Sequence, residues 1–183
     1  MLRLPDCVMK LFIFRILQGL LTPLRRNYRR RNGTDSGEPR KEIPNRVLLG
    51  LARDMIREGH TATIFVKGYS MRPFLEHCRD RVVLEAPQDL KVGDAVLAEV
   101  APDHYVLHRL IRMEGDELTL MGDGNVCGTE HCRRGDVAGV VTHYLRPKRT
   151  LLASDPVLQR RIRLWRKLLP VRRYLLFLYR AIV

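Results

Sequence analysis

Residues 66 to 73 have the sequence Val66-Lys67-Gly68-Tyr69-Ser70-Met71-Arg72-Pro73, and they follow an apolar run of β type that starts at Thr61. Gly68 and Pro73 are typical turn residues, so the stretch predicts a strand that ends in a tight turn carrying Ser70. A serine hydroxyl is a weak nucleophile at neutral pH, and it needs a base within hydrogen-bond reach and a donor for the oxyanion that forms. A turn leaving a strand can offer both.

Four further short blocks follow the serine turn in a fixed order: Val92-Gly93-Asp94, Tyr105-Val106-Leu107-His108-Arg109, Gly122-Asp123-Gly124-Asn125 and Asp136-Val137-Ala138-Gly139-Val140-Val141. The ordered set resembles the type I signal peptidases and the related self-cleaving repressor peptidases over roughly residues 61 to 145. The resemblance implies a serine-type endopeptidase of mainly β fold, with Ser70 as its nucleophile.

The base implied by this resemblance is His108. Bacterial signal peptidases and the repressors have a lysine before the arginine of this strand, whereas this chain has His108 before Arg109. An imidazole titrates near neutrality and can accept the serine proton without being forced into its neutral form by burial. The pattern is therefore most similar to the endoplasmic-reticulum and archaeal branch, which uses serine and histidine.

Two carboxylates are candidates for the acid that orients the histidine. In that branch, acidic residues around the Gly-Asp-x-Asn block orient the histidine, and Asp123 matches the first of them. Glu130 lies near the place of the second, so either Glu130 stands in for the second acid or the site works with Asp123 alone. Asp123 could also simply cap its turn, because Gly-Asp-Gly-Asn is a favoured turn sequence.

The turn itself supplies the predicted oxyanion and substrate-binding residues. The backbone N–H of Ser70 is the expected oxyanion donor. Gly68 stands where bacterial relatives often have a second, hydroxyl donor, so fewer donors are expected here. Met71 is expected to bury its side chain beside the nucleophile, and Pro73 to fix the backbone that leaves it. We expect an extended peptide substrate to add a strand beside the active-site sheet.

The fold expected from the residue pattern is a small antiparallel sheet or half-open barrel flanked by helices. Alternation of period two and frequent turns predict strands near residues 61–66, 81–85, 95–100, 104–112, 118–121 and 137–143. Hairpin turns are predicted at Pro102-Asp103 and at Glu114-Gly115-Asp116. Pro44 opens an amphipathic helix that Gly59 ends.

These patterns divide the chain into four expected segments. Residues 1–31 form a basic amphipathic segment, 32–43 a linker, 44–146 the catalytic domain with its leading helix, and 147–183 a basic helical tail kinked at Pro170. The apolar run within the first segment is shorter than the ~20 residues that a spanning helix needs, which favours a helix lying in the interface. A signal peptide and a mistaken upstream start codon are the alternatives for this segment.

The positive charge lies at the two ends of the chain. The net charge is +13, but residues 46–145 carry twelve Lys/Arg against fifteen Asp/Glu, and residues 146–183 carry eleven against one. Basic ends rich in long apolar side chains favour an anionic membrane surface over nucleic acid, which would need basic residues on the folded domain. The tail could instead pack on the domain or on a partner chain.

The four cysteines do not form the dense pattern of a secreted disulfide scaffold. Cys127 and Cys132 with nearby histidines could be assembled into a zinc site, but the spacing is loose and favours free thiols. No cofactor and no metal is therefore expected. The cationic ends and free thiols favour peripheral association with the cytoplasmic face of a membrane.

Two other functions fit the same residues. One is a secretory signal peptidase acting on the outer face, which would require residues 8–24 to insert. The other is a non-catalytic or self-cleaving regulatory domain. The repressors of that class carry a helix-turn-helix before the peptidase half, whereas residues 1–60 predict only one soluble helix, and no Ala-Gly cleavage pair precedes Ser70.

Overall fold

The computed structural model describes residues 44 to 182; the predicted amphipathic segment 1–31 and linker 32–43 lie outside the described residues. Eight strands and three α-helices form within that range. Their bounds are α1 Asn45–Arg57, β1 Ala62–Phe65, β2 Arg81–Glu85, β3 Ala95–Ala101, β4 His104–Glu114, β5 Glu117–Met121, β6 Glu130–Arg133, β7 Val137–Arg146, β8 Arg149–Leu152, α2 Pro156–Lys167 and α3 Arg172–Ile182.

The strands form one open antiparallel sheet, as the residue pattern predicts. Their order is β1-β2-β7-β3-β4-β5-β6, and β8 pairs with β7 beside this path. The two predicted hairpins, β3–β4 and β4–β5, turn at the predicted places, between Ala101 and His104 and between Glu114 and Glu117. The mainly β fold class is thus confirmed, with β1 and β6 as the two free edges of the path.

One apolar cluster fills the space under the central strands. Most of its buried members lie on β3, β4 and β5, and those that share a strand are two residues apart because successive side chains of a strand point to opposite faces. They are Leu90, Val96, Ala98, Leu110, Leu118, Leu120 and Val137. This cluster fixes the register of β4, the strand that carries His108 and Arg109.

All six predicted strands form, and two further strands were not predicted. β6 has the sequence Glu-His-Cys-Arg and β8 has Arg-Thr-Leu-Leu, so neither shows an apolar alternation strong enough to mark a strand. Both are short, outlying strands whose pairing with β5 and β7 supplies what their sequences lack. The sheet therefore extends to Leu152, beyond the expected end of the catalytic domain at residue 146.

The sequence pattern of α1 marks an apolar stripe of Val47, Leu48, Leu51, Met55 and Ile56, but of these only Ile56 is buried. Leu49, Ala52 and Ile56 are its buried residues. Its other large apolar side chains are exposed to solvent: Val47, Leu48, Leu51 and Met55. The helix forms as predicted, but only part of its wide apolar face is covered by residues 44–182.

The two C-terminal helices pack on the domain through one face each. Asp155 caps α2 by accepting the N–H of Leu158 at 2.8 Å, and Pro156 occupies its first turn. The 3₁₀ turn Leu169–Val171 separates α2 from α3 at the predicted kink. The buried side chains of the pair are Leu158, Ile162, Trp165, Arg172, Leu175, Leu176 and Tyr179. Within residues 44–182, no helix is long and apolar enough to span a bilayer.

Candidate active site

The serine turn is held in shape by hydrogen bonds on both sides of Ser70. Gly68 has φ of +92°, a left-handed conformation that favours glycine, and its N–H donates to Nδ1 of His77 at 2.9 Å. The N–H of Arg72 donates to the Tyr69 carbonyl at 3.2 Å, which closes the turn. Ser70 itself is half-buried at the top of this turn.

The backbone of Ser70 docks on the turn formed by residues 122–125. The N–H of Gly124 donates to the Ser70 carbonyl at 2.7 Å. A methyl group at Gly122 would lie 2.6 Å from that carbonyl oxygen, and one at Gly124 would lie 2.6 Å from the Tyr69 carbonyl oxygen. Both glycines are therefore needed for the close approach of the two turns, which the sequence suggested only as turn formers.

His108 is held by Glu130. The imidazole Nδ1 lies 2.8 Å from Oε2 of Glu130, and the ring is buried while the carboxylate is half-buried. A carboxylate only accepts hydrogen bonds, so Nδ1 carries the proton and Nε2 of the neutral ring is left as the acceptor. No hydrogen bond within residues 44–182 uses Nε2 of His108.

The register of the sheet explains why Glu130 reaches His108. Glu130 pairs with Leu120 on β5, and Leu120 pairs with Leu110 on β4. His108 lies two residues before Leu110, so these side chains share one face of the sheet. Across the strand on the other side, His108 pairs with Val96, a member of the buried cluster.

Asp123 serves Arg109 and does not contact His108. Its two carboxylate oxygens accept from Nε and Nη2 of Arg109, and both side chains are almost fully buried. Arg109 also donates to the Gly93 carbonyl at 3.0 Å and to the Tyr144 hydroxyl at 3.2 Å. Burial opposes the charged guanidinium, but the Asp123 carboxylate and the Tyr144 hydroxyl together outweigh it and raise the pKa of Arg109. Of the two candidate acids, the geometry therefore gives Glu130 to the histidine.

Helices α2 and α3 hold the 122–125 turn from behind. Trp165 donates its indole N–H to the Asp123 carbonyl at 2.8 Å, and Arg172 donates to the Asn125 carbonyl at 2.9 Å. The indole also packs edge-on against Phe74 of the serine turn. Trp165 belongs to the tail for which the sequence favours a membrane surface over packing on the domain, but its side chain is only 2% exposed and contacts the site.

The Ser70 hydroxyl and the His108 ring are not hydrogen-bonded to each other. Among residues 44–182, no hydrogen bond is made by the Ser70 hydroxyl or by the Ser70 backbone N–H. The 122–125 turn, which binds the Ser70 carbonyl, follows β5 directly after Met121. Met121 pairs with Arg109, the neighbour of His108 on β4, so this turn connects Ser70 to β4. The structure thus brings Ser70, Asp123 and Arg109, in the middle of β4, to one corner of the sheet.

The remaining predicted site residues shape the turn. Met71 is 2% exposed, and Pro73 is buried behind a cis Arg72–Pro73 peptide bond. The Gly68 N–H is already engaged by His77, so it is not a free oxyanion donor. Met71 and Pro73 therefore pack on the inner side of the turn and Gly68 shapes its exposed side, while the Ser70 N–H remains the available donor.

The three described cysteines are free thiols. Cys78 and Cys127 are exposed, and burial raises the pKa of the half-buried Cys132 to about 11. Within the described range, no group of three or more His, Cys, Asp or Glu side chains is placed to hold a metal ion.

Comparisons of the chain with protein-family models, with curated proteins and with solved structures found no match.

Proposed function

We propose that the chain is a serine endopeptidase that cleaves a peptide or preprotein at a membrane surface. Ser70 is the nucleophile, His108 the general base, and Glu130 the carboxylate that orients the base. The observation that carries the proposal is the 2.8 Å contact between His108 Nδ1 and Glu130, which leaves Nε2 open as a proton acceptor. A base oriented in this way is what an unactivated serine hydroxyl requires.

In the proposed reaction, the Ser70 hydroxyl attacks the scissile carbonyl and its proton passes to Nε2 of His108. The imidazolium is then stabilised by Glu130, and it returns the proton to the leaving amine. Water hydrolyses the acyl-enzyme with the same base. The hydrogen bond between Ser70 and His108 forms when substrate closes the site, since such contacts are often long before the Michaelis complex.

The oxyanion of the tetrahedral intermediate is stabilised by the backbone N–H of Ser70. This N–H has no partner among the described residues, and the Gly124 N–H holds the adjoining carbonyl at 2.7 Å, so its direction is fixed before substrate binds. Preorganised donors of this kind lower the barrier because they need no reorientation during the reaction.

The substrate is an extended peptide that pairs with the free edge of β1. This strand pairs with β2 on one side and leads directly into the serine turn, so a peptide on its other side would run past Ser70. Main-chain hydrogen bonds along such an edge give affinity without demanding one particular sequence.

Membrane association is proposed through α3. This helix and the 3₁₀ turn before it expose four large apolar side chains: Val171, Tyr174, Phe177 and Leu178. The exposed cations Arg163, Lys167 and Arg173 lie on the same helical pair. Aromatic and aliphatic side chains beside Lys and Arg are typical of a surface that enters the headgroup region of anionic bilayers.

The activity is tested by mass-spectrometric profiling of a proteome-derived peptide library incubated with the full chain. Ser70→Ala should abolish cleavage, while Ser154→Ala, at an exposed serine in the turn before α2, should leave it unchanged. His108→Ala should lower the rate by roughly 10²–10⁴-fold, the usual contribution of a general base. Cleavage retained by Ser70→Ala would show that the mechanism is wrong.

The membrane surface is tested separately by co-sedimentation with vesicles of phosphatidylcholine and phosphatidylserine. Phe177→Ser should weaken binding by roughly tenfold, since burying a Phe side chain contributes about 1.5–3 kcal/mol. Val157→Ser, at an exposed apolar position on α2, is the matched control. Equal losses in the two variants would rule out α3 as the contact surface.

We further propose that the domain works on the cytoplasmic face. Cys78 and Cys127 are exposed, so both can report on this by reaction with an impermeant thiol reagent. They should label only after cells are lysed. Labelling in intact cells would favour the alternative of a secretory peptidase on the outer face.

A further inference from the structure

An open cavity of about 380 Å³ lies beside the candidate nucleophile, between the serine turn and helix α3. Its lining residues come from three parts of the chain: Tyr69, Arg72, Gly124, Leu176, Tyr179 and Arg180. Tyr69 immediately precedes Ser70, and Gly124 holds the Ser70 carbonyl. A group bound in this cavity would therefore belong to a peptide lying across Ser70.

The cavity carries a surplus of positive charge. Arg72 is already paired, since its Nε and Nη2 both donate to the Glu76 carboxylate and its guanidinium lies 4.2 Å from the centre of the Tyr69 ring. Arg180 is exposed and has no counter-ion among residues 44–182. Of the two arginines that line the cavity, Arg72 is neutralised by Glu76, and the uncompensated positive charge therefore belongs to Arg180.

The floor of the cavity suits the stem of a side chain. Leu176 and Tyr179 are each 4% exposed and form an apolar base. The Tyr179 hydroxyl donates to Glu76 at 3.3 Å. Burial and the nearby Glu76 carboxylate raise the pKa of Tyr179 to about 12, so it adds no negative charge at neutral pH.

We infer that this cavity is a substrate subsite for a peptide carboxylate, with Arg180 as the residue that binds it. The inference rests on the proposed peptidase function. A guanidinium binds a carboxylate through paired N–H donors, and the aromatic and aliphatic walls contact the methylene groups behind it. The carboxylate is that of an Asp or Glu side chain, or of the peptide's own C-terminus.

The experiment measures binding to the full chain carrying Ser70→Ala, so that cleavage does not enter the readout. Nine-residue peptides bearing a neutral dye are compared in matched pairs, with one Glu or one Gln at each successive position and an amidated C-terminus. A second arm compares the all-Gln peptide with a free and with an amidated C-terminus, which separates the two sources of the carboxylate.

We expect Glu at one position, or the free C-terminus, to bind roughly tenfold more tightly than its neutral partner; tenfold corresponds to about 1.4 kcal/mol. Arg180→Ala should abolish this preference, and Arg180→Lys should keep part of it. Arg173→Ala is the matched control, because Arg173 lies on the same helix but does not line the cavity.

The outcomes separate this inference from the proposed function. Binding without any preference for the carboxylate, or an equal loss in Arg180→Ala and Arg173→Ala, would overturn the subsite. If the preference depends on Arg180 but the wild-type chain cleaves none of the bound peptides, the subsite stands and the peptidase proposal fails.

Discussion

The substitution Asp123→Asn separates a structural acid from a catalytic one. It keeps the shape of the side chain but removes the charge that faces Arg109. The two side chains are 2% and 1% exposed, so the guanidinium would be left buried without a counter-ion. Losing one partner of a buried pair costs about 3–5 kcal/mol. Arg109 keeps its bonds to Gly93 and Tyr144, which favours the lower end of that range.

Urea unfolding at neutral pH measures this cost. With a slope of about 2 kcal/mol/M for a domain of this size, a loss of about 3 kcal/mol lowers the midpoint by roughly 1.5 M. Glu130→Gln is the matched comparison, because Glu130 is 31% exposed and its hydrogen bond to His108 contributes only about 0.5–1.5 kcal/mol. Glu130→Gln should nevertheless lose most of the peptidase activity.

A double substitution checks that the cost comes from the unpaired charge. Arg109→Met combined with Asp123→Asn removes both charges, so it should be more stable than the two single costs added together. The reasoning would be refuted if Asp123→Asn stayed within about 1 kcal/mol of the wild type while abolishing cleavage. Asp123 would then be the catalytic acid, and Glu130 would not.

Two further predictions concern the surroundings of the site. Trp165→Phe removes the N–H that binds the Asp123 carbonyl, so it should cost about 1–3 kcal/mol in urea unfolding; an unchanged midpoint would mean that α2 does not support the turn. Burial and the Asp136 carboxylate raise the pKa of Cys132 to about 11, above the usual thiol value. The folded state therefore loses stability as pH rises from the usual thiol pKa to about 11, because the unfolded chain gives up the thiol proton first. Alkaline unfolding should therefore be steeper in the wild type than in Cys132→Ser, and alkylation of Cys132 at neutral pH should be slower than that of Cys78; equal rates would contradict the burial.

The sequence predicts the central sheet because each of its strands carries its own pattern. β2, for example, has alternating buried Val82 and Leu84, and it forms over the predicted residues 81–85. β6 is different, since Glu130, His131 and Arg133 are polar and only its pairing with β5 makes it a strand. Local alternation cannot reveal a strand whose stability comes from its neighbour.

The choice between the two acids depends on the same strand. The sequence favours Asp123 as a partner of His108, because Asp123 belongs to the recognisable Gly-Asp-Gly-Asn turn. Neighbouring side chains on a strand point to opposite faces, so an acid that binds Arg109 lies on the face of β4 opposite to His108. Glu130 reaches His108 only through the β5–β6 register, and the missed strand is therefore also the reason that the sequence left the third member open.

The C-terminal helices pack on the domain through one face and leave the other face free for the proposed membrane contact, whereas the sequence treated these two roles as alternatives. Their buried face supplies Trp165 and Arg172 to the carbonyls of the 122–125 turn, and that turn holds the carbonyl of Ser70. Their other face leaves Tyr174 and Phe177 exposed, at 60% and 72%. Because Tyr179 of the same helix bonds Glu76 of the serine turn, a bilayer that binds the exposed face would lie one helix diameter, about 10 Å, from the turn carrying Ser70. A peptide emerging from that bilayer would then reach the nucleophile in an extended conformation.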